Sequence, residues 1–342
     1  MKYFLVILAL ATLATAPVYA QKQVDRVKFF TDTSTVNATL SINYKRLLSQ
    51  KTKEGTTFPA AFACSLDDGS AIDDHILVEV RGHFRRKNCD MPPLKLIYKR
   101  DSTTAFYKFK ELKLVGVCTP NNIDEQNLLK EFLVYKIYNL ITDNSFRVRL
   151  LNLTYIDSSG RRKPVTRHAF LMEDIKQLAK RNYCEEWSKE PVHCERTDRR
   201  LMTVVSVFEY MIGNTDWSVP GGHNIKLIQN SSDSTARPIS VPYDFDFSGL
   251  VNTGYAIPDE KMGITSVRER VYRGFPRTME ELTDVLGVFK QKKSAIYDTI
   301  ISCDSLDPVT KKDMTDYLDE FYRSIASPAE IKRIFIENAR TE

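Results

Sequence analysis

Glycine is scarce in this sequence: 13 of 342 residues are glycine, about 4%, whereas average proteins contain roughly 7%. No two glycines are separated by a single residue, so the GxGxxG loops of dinucleotide-binding proteins and kinases are absent. The GxxxxGK phosphate loop is absent as well. This shortage excludes phosphate binding by a glycine-rich loop, and any nucleotide site must therefore use other groups.

A large charge of one sign is also lacking, because 49 Lys and Arg oppose 44 Asp and Glu, for a net charge of +5. This small excess, with no separate basic run, excludes a typical nucleic-acid-binding protein. The 42% hydrophobic and 27% charged residues fit a globular protein and exclude disorder, collagen and coiled coil. Beyond the N-terminus no apolar run could span a bilayer, so we expect no transmembrane segment, and no feature specifies an oligomeric state.

Residues 1–20 have the pattern of a secretory signal peptide. A short positive start precedes the apolar run from Phe4 to Ala16, and small residues at the cleavage site end at Ala20. Pro17 interrupts the run before it reaches the roughly 20 residues that a membrane anchor needs. The pattern predicts cleavage before Gln21 and a secreted or periplasmic mature protein.

Export would place the cysteines in an oxidising compartment, where they form disulfides. Their even number permits three bridges, and no CxxC or Cys–His spacing indicates zinc. Cys184 and Cys194 bracket a short charged loop and are the expected local pair. Cys89 and Cys118 flank two predicted strands and could connect them. The six cysteines are Cys64, Cys89, Cys118, Cys184, Cys194 and Cys303.

The hydrophobic pattern changes character near the middle of the chain. From Val36 to Asp157 apolar residues mostly alternate, as in β-strands, and one amphipathic helix interrupts them at about residues 124–141. After Glu173 the pattern is helical. Helices are predicted at 199–212, 279–301, 308–325 and 328–339, with a short strand pair between the first two. The sequence therefore predicts an α+β fold with two lobes, a strand-rich N-lobe at 21–173 and a helical C-lobe at 174–342.

The strongest chemical signal is a pair of carboxylates, Asp244 and Asp246, directly after an apolar strand. Aromatic residues surround the pair, which indicates partial burial, where two like charges are costly without a cation. Mg²⁺ is bound in proteins by a few carboxylate oxygens together with waters and phosphates. The motif therefore predicts a site for Mg²⁺ or Mn²⁺, and the alternative is a solvated turn with two ordinary acids.

A polar loop upstream, from Asn214 to Asn224, follows the predicted end of a helix at Gly213. Asp216 in this loop could act as a base or orient a hydroxyl, and Asn224 could complete a metal shell. The alternative is a capped helix end whose polar side chains bind local backbone.

Two further groups of residues in the first half could bind phosphates. The loop after a predicted strand contains Arg81 and Arg85 among several cations, which could hold phosphates without a glycine loop, or could form an exposed basic turn. Lys95 alternates with two leucines of another strand, and Glu131 of the amphipathic helix is a candidate partner for it. A lysine–glutamate pair of this kind positions nucleotide phosphates in kinases.

These residues resemble those of the CotH kinase family, the spore-coat-type atypical protein kinases, and particularly an exported branch from Bacteroidetes-type bacteria. The resemblance covers about half of the chain. It includes the segments Arg81-Gly82, Pro92 to Leu96, Leu129 to Phe132, Phe170 to Glu173, Gly213 to Asp216 with His223-Asn224, and Pro242 to Gly249.

The resemblance implies a two-lobed, divergent protein-kinase-like fold that binds ATP with a divalent metal and phosphorylates protein hydroxyls. Lys95 would contact the phosphates of ATP, and Glu131 would orient Lys95. Glu173 would lie at the hinge between the lobes, near the nucleotide base. Asp216 would be the catalytic acid, with Asn224, Asp244 and Asp246 around the metal. Two alternatives stay open: a catalytically inactive exported binding or envelope protein, and a glycosyltransferase that uses the Asp-x-Asp pair for a metal-bound nucleotide sugar.

Overall fold

The computed structural model describes residues 24–99 and 105–341, so the predicted signal peptide lies outside the described residues. Seven strands in the first half form a closed barrel in the order β1-β2-β3-β4-β5-β7-β6. Their bounds are β1 Val36–Ile42, β2 Thr57–Ser65, β3 Ala71–Val80, β4 Leu94–Ile97, β5 Glu111–Gly116, β6 Val148–Asp157 and β7 Val165–Met172.

Alternation of apolar residues along the strands fills the barrel interior. Leu40 of β1, Val78 of β3 and Leu114 of β5 are all buried there, in one cluster of side chains. Neighbouring strands are antiparallel except at the closure, where β1 and β6 run parallel with Val36 opposite Leu151. Closure leaves this sheet without a free edge strand.

The predicted two-lobed, protein-kinase-like fold with a helical C-lobe is therefore wrong. The first half is a closed barrel, because β6 returns beside β1 and pairs with it. The second half combines helices with a three-stranded sheet in the order β10-β9-β8. The bounds of this smaller sheet are β8 Cys184–Glu186, β9 Ile225–Asn230 and β10 Ile239–Pro242.

Nine α-helices accompany the strands within the described part of the chain. Three short ones belong to the barrel region: α1 Arg26–Thr31, α2 Tyr44–Ser49 and α3 Phe84–Asn88. The others are α4 Asn122–Ile141, α5 Ile175–Arg181, α6 Arg199–Ile212, α7 Met279–Ile301, α8 Pro308–Ser324 and α9 Pro328–Lys332.

Helix α4 connects the barrel to the helical part. Leu133 of α4 is buried in the same cluster as Phe170, which points outward from β7, and Phe289 of α7. The helix is thus packed between the outer face of the barrel and the later helices. Asn121 caps its first turn by accepting a hydrogen bond from the backbone N–H of Asp124 at 2.7 Å.

One of the two proposed disulfides is present. Cys89 and Cys118 are bonded, as predicted, and join the loop after α3 to the loop after β5. The predicted Cys184–Cys194 bridge is wrong, because both cysteines are free thiols. Cys184 is held in β8 opposite Asn230, whereas Cys194 is buried in the helical core. Within the described residues, no helix has the length and apolar character needed to cross a membrane.

Candidate functional site

The residues selected from the sequence lie on six segments. These are the basic loop after β3, which carries Arg81 and continues into α3 with Arg85; β4 with Lys95; α4 with Glu131; the residue after β7, Glu173; the loop after α6 with Asp216 and Asn224; and the turn after β10 with Asp244 and Asp246.

The turn after β10 holds its two carboxylates in different environments. Asp244 has a left-handed backbone with φ of 66°, and its N–H donates a hydrogen bond to the Tyr135 hydroxyl of α4 at 2.8 Å. Asp246 is buried, and its carboxylate accepts a hydrogen bond from the Tyr255 hydroxyl at 2.8 Å. A positive φ at a non-glycine residue is a local strain of the kind that is found at functional sites.

Three carboxylates lie within electrostatic reach of one another. Burial, together with the negative charges of Asp244 and Asp216, raises the pKa of Asp246 to about 7, while Arg85 and the hydrogen bond from Tyr255 oppose the shift. Two additional acids near a buried carboxylate make its ionised form costly unless a cation is close. The predicted catalytic and metal-binding acids are therefore neighbours in space, although about thirty residues separate Asp216 from Asp246 in the chain.

The loop after α6 is organised around Asp216. The helix ends at Gly213, whose left-handed φ of 67° is unstrained only for glycine. Both carboxylate oxygens of Asp216 are engaged. One lies 2.8 Å from the Nε2 atom of His223, and the other accepts a hydrogen bond from the Nδ2 group of Asn224 at 3.0 Å. Asn224 itself has a φ of 52°, and its amide nitrogen is committed to Asp216, so its amide oxygen is the atom that could ligate a cation.

Glu131 is positioned by an arginine, not by the lysine that the sequence suggested. Its carboxylate lies 3.9 Å from the guanidinium of Arg85, which also donates to the carbonyl oxygen of Gly116. Burial raises the pKa of Glu131, and the nearby charge of Asp246 raises it further. The buried pair connects the basic loop after β3 to helix α4 beside the carboxylate turn.

Lys95 points outward from β4 and pairs with carboxylates on neighbouring strands. Its Nζ atom lies 2.7 Å from Glu79 of β3 and 3.9 Å from Glu111 of β5. The predicted pairing with Glu131 is therefore replaced by contacts across the sheet. Its role in phosphate binding stays a prediction.

Lys113, directly opposite Lys95 in the β4–β5 register, is the basic residue that the sequence reasoning missed. Its ammonium lies 4.8 Å from the centre of the Tyr243 ring, one residue before Asp244. Burial, together with the charge of Arg81, lowers the pKa of Lys113 to about 8, and Asp244 opposes the shift. A signal for Lys113 did exist, because it alternates with two leucines just as Lys95 does.

The guanidinium of Arg81 faces the same carboxylate turn. Its Nε atom is buried and has no hydrogen-bond partner within residues 24–99 and 105–341. Burial lowers the pKa of Arg81, and among the surrounding charges that of Asp244 opposes the shift most strongly. A buried arginine donor without an acceptor is costly, and an anion that entered the site would supply one.

Glu173 has a structural position at the end of β7. It is buried, and its carboxylate accepts hydrogen bonds from the Arg181 side chain at 3.0 Å and from the backbone N–H of Arg147 at 3.1 Å. These contacts fix the connection between the barrel and α5. That Glu173 lies near the base of a bound nucleotide stays a prediction.

Aromatic rings join the two sides of the site. Phe84 of α3 lies 5.4 Å from Tyr255 and 6.0 Å from Phe247, measured between ring centres. Tyr255 is also the hydrogen-bond donor to Asp246, so this contact connects the basic loop to the carboxylate turn. Tyr135 and Tyr255 escaped the sequence reasoning because tyrosines at such spacings are usually core residues.

A cleft of about 390 Å³ opens beside Asp216 and is lined also by His223, Phe247 and Arg273. Its volume is within the range of roughly 300–1,000 Å³ that is usual for small-molecule sites. In the part of the chain that the structure describes, no three His, Cys, Asp or Glu side chains are arranged to hold a metal by themselves. The oxygen donors present fit Mg²⁺ better than a softer metal, because Mg²⁺ uses one or two carboxylates together with phosphates and water.

The geometry thus combines hard oxygen donors, half-buried cations and an open cleft. Comparison with known proteins adds no assignment: the chain matches no family model and no curated protein sequence.

Proposed function

We propose that the protein is a phosphotransferase that uses ATP with Mg²⁺ or Mn²⁺ to phosphorylate hydroxyl groups of a protein. The observation that carries this proposal is that Asp216, Asp244 and Asp246 lie within electrostatic reach of one another and of the half-buried cations Arg81 and Lys113. The Lys113 ammonium lies 4.8 Å from the ring centre of Tyr243, the residue before Asp244. Acids that hold a divalent cation beside bases that hold phosphates are the parts that phosphoryl transfer requires. The resemblance of the segments that carry Arg81, Asp216, Asp244 and Asp246 to the CotH family supports this chemistry.

Each residue has a distinct role in the proposal. Asp244 and Asp246 hold the cation, which when bound neutralises charge on the phosphates. Arg81 and Lys113 contact the phosphates. Asp216 accepts the proton of the acceptor hydroxyl, and His223 orients its carboxylate.

Glu131 and Arg85 act as positioning residues. Their ion pair fixes the basic loop against α4, and Asp246 is close enough to raise the pKa of Glu131. The remaining donor in the proposed shell is the amide oxygen of Asn224, because its amide nitrogen is already bound to Asp216.

The proposed location is outside the cytoplasm. The Cys89–Cys118 disulfide supports this location, because structural disulfides persist mainly in oxidising compartments. The signal-peptide pattern of residues 1–20 indicates the same route.

A second candidate function is binding without catalysis. The observation that favours it is that both carboxylate oxygens of Asp216 are already engaged by His223 and Asn224. A carboxylate held in this way is a weaker base. The envelope protein expected as an alternative would use the same cleft for a ligand and transfer no phosphate.

The first prediction tests the metal–nucleotide site by thermal unfolding of the mature chain with MgCl₂ or MnCl₂, with and without ATP. A ligand present at 100 times its Kd stabilises the native state by about 2.7 kcal/mol, so ATP with metal should raise Tm by several degrees. Asp244→Asn should abolish this increase, since it removes a cation ligand. The matched control is Asp304→Asn, the same change at an exposed position after α7, which should retain the full increase.

Transfer of labelled γ-phosphate from ATP to casein then separates the two candidate functions. Phosphotransfer predicts label on casein that is lost in Asp216→Asn. A Tm increase without transfer supports a binding protein. No Tm increase at millimolar ATP and metal contradicts both phosphate transfer from ATP and binding of ATP without transfer.

A further inference from the structure

A second cavity lies at the end of the barrel, outside the site described above. It has a volume of about 400 Å³ and lies where α2, the disulfide-linked loops and the β6–β7 turn approach one another. Its walls are mainly apolar, with Leu48 of α2, Val117 after β5, and Val165 of β7 among the lining residues. We call this cavity the barrel-end groove. Its volume suits a small molecule and not a folded partner.

The β6–β7 turn places consecutive cations at the mouth of the barrel-end groove. Arg161, Arg162 and Lys163 are all exposed, and none forms an ion pair with another described residue. Arg162 and Lys163 line the groove, whereas the side chain of Arg161 does not. Arg167 also lines it, but its guanidinium is bound to the carbonyl oxygens of Thr166 and Pro120.

The turn that carries these cations is rigidly held. Asp157 accepts hydrogen bonds from the hydroxyl of Ser159 at 2.8 Å and from the backbone N–H groups of Ser159 and Arg161 at 3.2 Å each. Its charge is thereby dispersed into the turn. The other carboxylate in the lining, Asp90, is exposed to solvent. The lining therefore keeps an excess of positive charge beside an apolar wall.

A buried hydroxyl adds an unused hydrogen-bond donor. Tyr44 lines the groove, is only 4% exposed, and its hydroxyl has no hydrogen-bond partner within the described residues. Burial raises the pKa of Tyr44, so the hydroxyl stays protonated, and Arg162 is near enough to oppose that shift. A buried hydroxyl without an acceptor is uncommon in folded proteins, and a ligand oxygen would supply one.

We propose that the barrel-end groove binds a small amphipathic carboxylate of the medium-chain fatty-acid class. The hydrocarbon chain lies against Leu48, Val117 and Val165. The carboxylate lies between Arg162 and Lys163 and accepts a hydrogen bond from the Tyr44 hydroxyl. This occupant follows from charge complementarity: the apolar wall requires a hydrocarbon body, and the unpaired cations beside it require an anionic head. The inference is independent of the proposed phosphotransferase activity, since none of the catalytic residues lines the groove.

The second prediction is tested by isothermal titration calorimetry of the mature chain with decanoate, below its micellar range. We expect saturable binding at one site. Decanol, which has the same chain without the charge, should bind at least about tenfold more weakly than decanoate. Arg162→Glu should weaken decanoate binding about tenfold or more, because it replaces an attractive charge by a repulsive one. The matched control Arg161→Glu changes the same charge one residue away and should have less than about a threefold effect.

A second variant tests the apolar wall. Val165→Asp should abolish decanoate binding, whereas the same change at Val309, a more exposed valine on α8, should leave it unchanged. Asp244→Asn should also leave it unchanged, which separates this site from the phosphotransferase site. Equal losses in Arg161→Glu and Arg162→Glu would show attraction to general surface charge only. That result, or the absence of saturable binding, would overturn the proposal.

Discussion

At the scale of single residues, Glu209 on α6 illustrates how burial controls charge. Its side chain is buried, which raises its pKa to about 8, and the charge of Asp216 contributes to the shift. The folded state therefore binds a proton that the unfolded chain releases near pH 4.5. Stability attributable to this group is fully present below that pH and is lost as the pH rises towards 8.

The third prediction concerns Glu209→Gln, which keeps the shape of the protonated side chain and removes its titration. At pH 5 the variant and the parent should have similar free energies of unfolding. At pH 8.5 the variant should be more stable by on the order of 3 kcal/mol, because the parent must ionise a buried carboxyl. Urea denaturation at the two pH values measures the difference. Glu185→Gln, at an exposed position of β8, is the control, and an equal gain there would contradict the interpretation.

The site residues differ in how far sequence could predict them. Asp216 and Asn224 are in contact, as expected, because they share one loop and a short loop brings its ends together. The partner of Glu131 could not be predicted, because Arg85 reaches it through a loop whose path depends on the Cys89–Cys118 bridge. Sequence alone also cannot distinguish Lys95 from Lys113, because both point outward from neighbouring strands between two leucines. Only the structure shows that Lys113, and not Lys95, lies beside the carboxylate turn.

At the scale of elements, the Cys89–Cys118 bridge holds two loops that the candidate site needs. Cys89 ends the segment that carries Arg85, and Cys118 lies two residues after Gly116, whose carbonyl oxygen Arg85 binds. The bridge closes a loop with a sequence separation of 29 residues. Its removal would increase the conformational freedom of the unfolded chain and release the basic loop.

The fourth prediction is that replacing both cysteines by serine lowers the free energy of unfolding by about 3.6 kcal/mol, as loop-closure entropy indicates for a loop of this length. Guanidinium denaturation measures the loss. Cys303→Ser is the control, since Cys303 is a free thiol and half-buried, and it should cost much less. Equal effects of the two changes would show that the bridge contributes packing only.

Helices were easier to predict than the barrel. The bounds of α6 and α7 agree with the sequence expectation, because each helix keeps a regular apolar stripe between a capping Asp198 or Thr278 and its end. Closure of the barrel was not predictable in this way. Pairing of Val36 with Leu151 joins strands far apart in the chain, and alternation within either strand carries no information about its partner.

At the scale of the whole molecule, α4 prevents a simple division into two parts. The predicted domain boundary at residue 173 follows the last barrel strand, which ends at Met172. Yet the buried cluster around α4 also contains Phe289 of α7 and Phe321 of α8. A large apolar surface of the first half is therefore covered by the second half.

The fifth prediction is that a fragment of residues 24–173 does not form a stable monomer. The outer side of α4 would be exposed to water, and exposed apolar surface of that extent favours aggregation. Limited proteolysis and binding of an apolar dye should show an open state, with a chain of residues 24–342 as the control. Cooperative unfolding of a monomeric fragment would establish residue 173 as a true domain boundary.

The parallel closure of the barrel also determines when the protein can fold. Strand β1 is synthesised early, but its partner β6 follows about a hundred residues later in the chain. At a synthesis rate of roughly 5–20 residues per second, β1 waits on the order of 5–20 s for its neighbour. During this interval the barrel cannot close, and β1 can pair only with β2, its antiparallel neighbour on the other side. The β1–β6 pairing that seals the finished barrel is therefore also the step for which the earliest strand must wait longest.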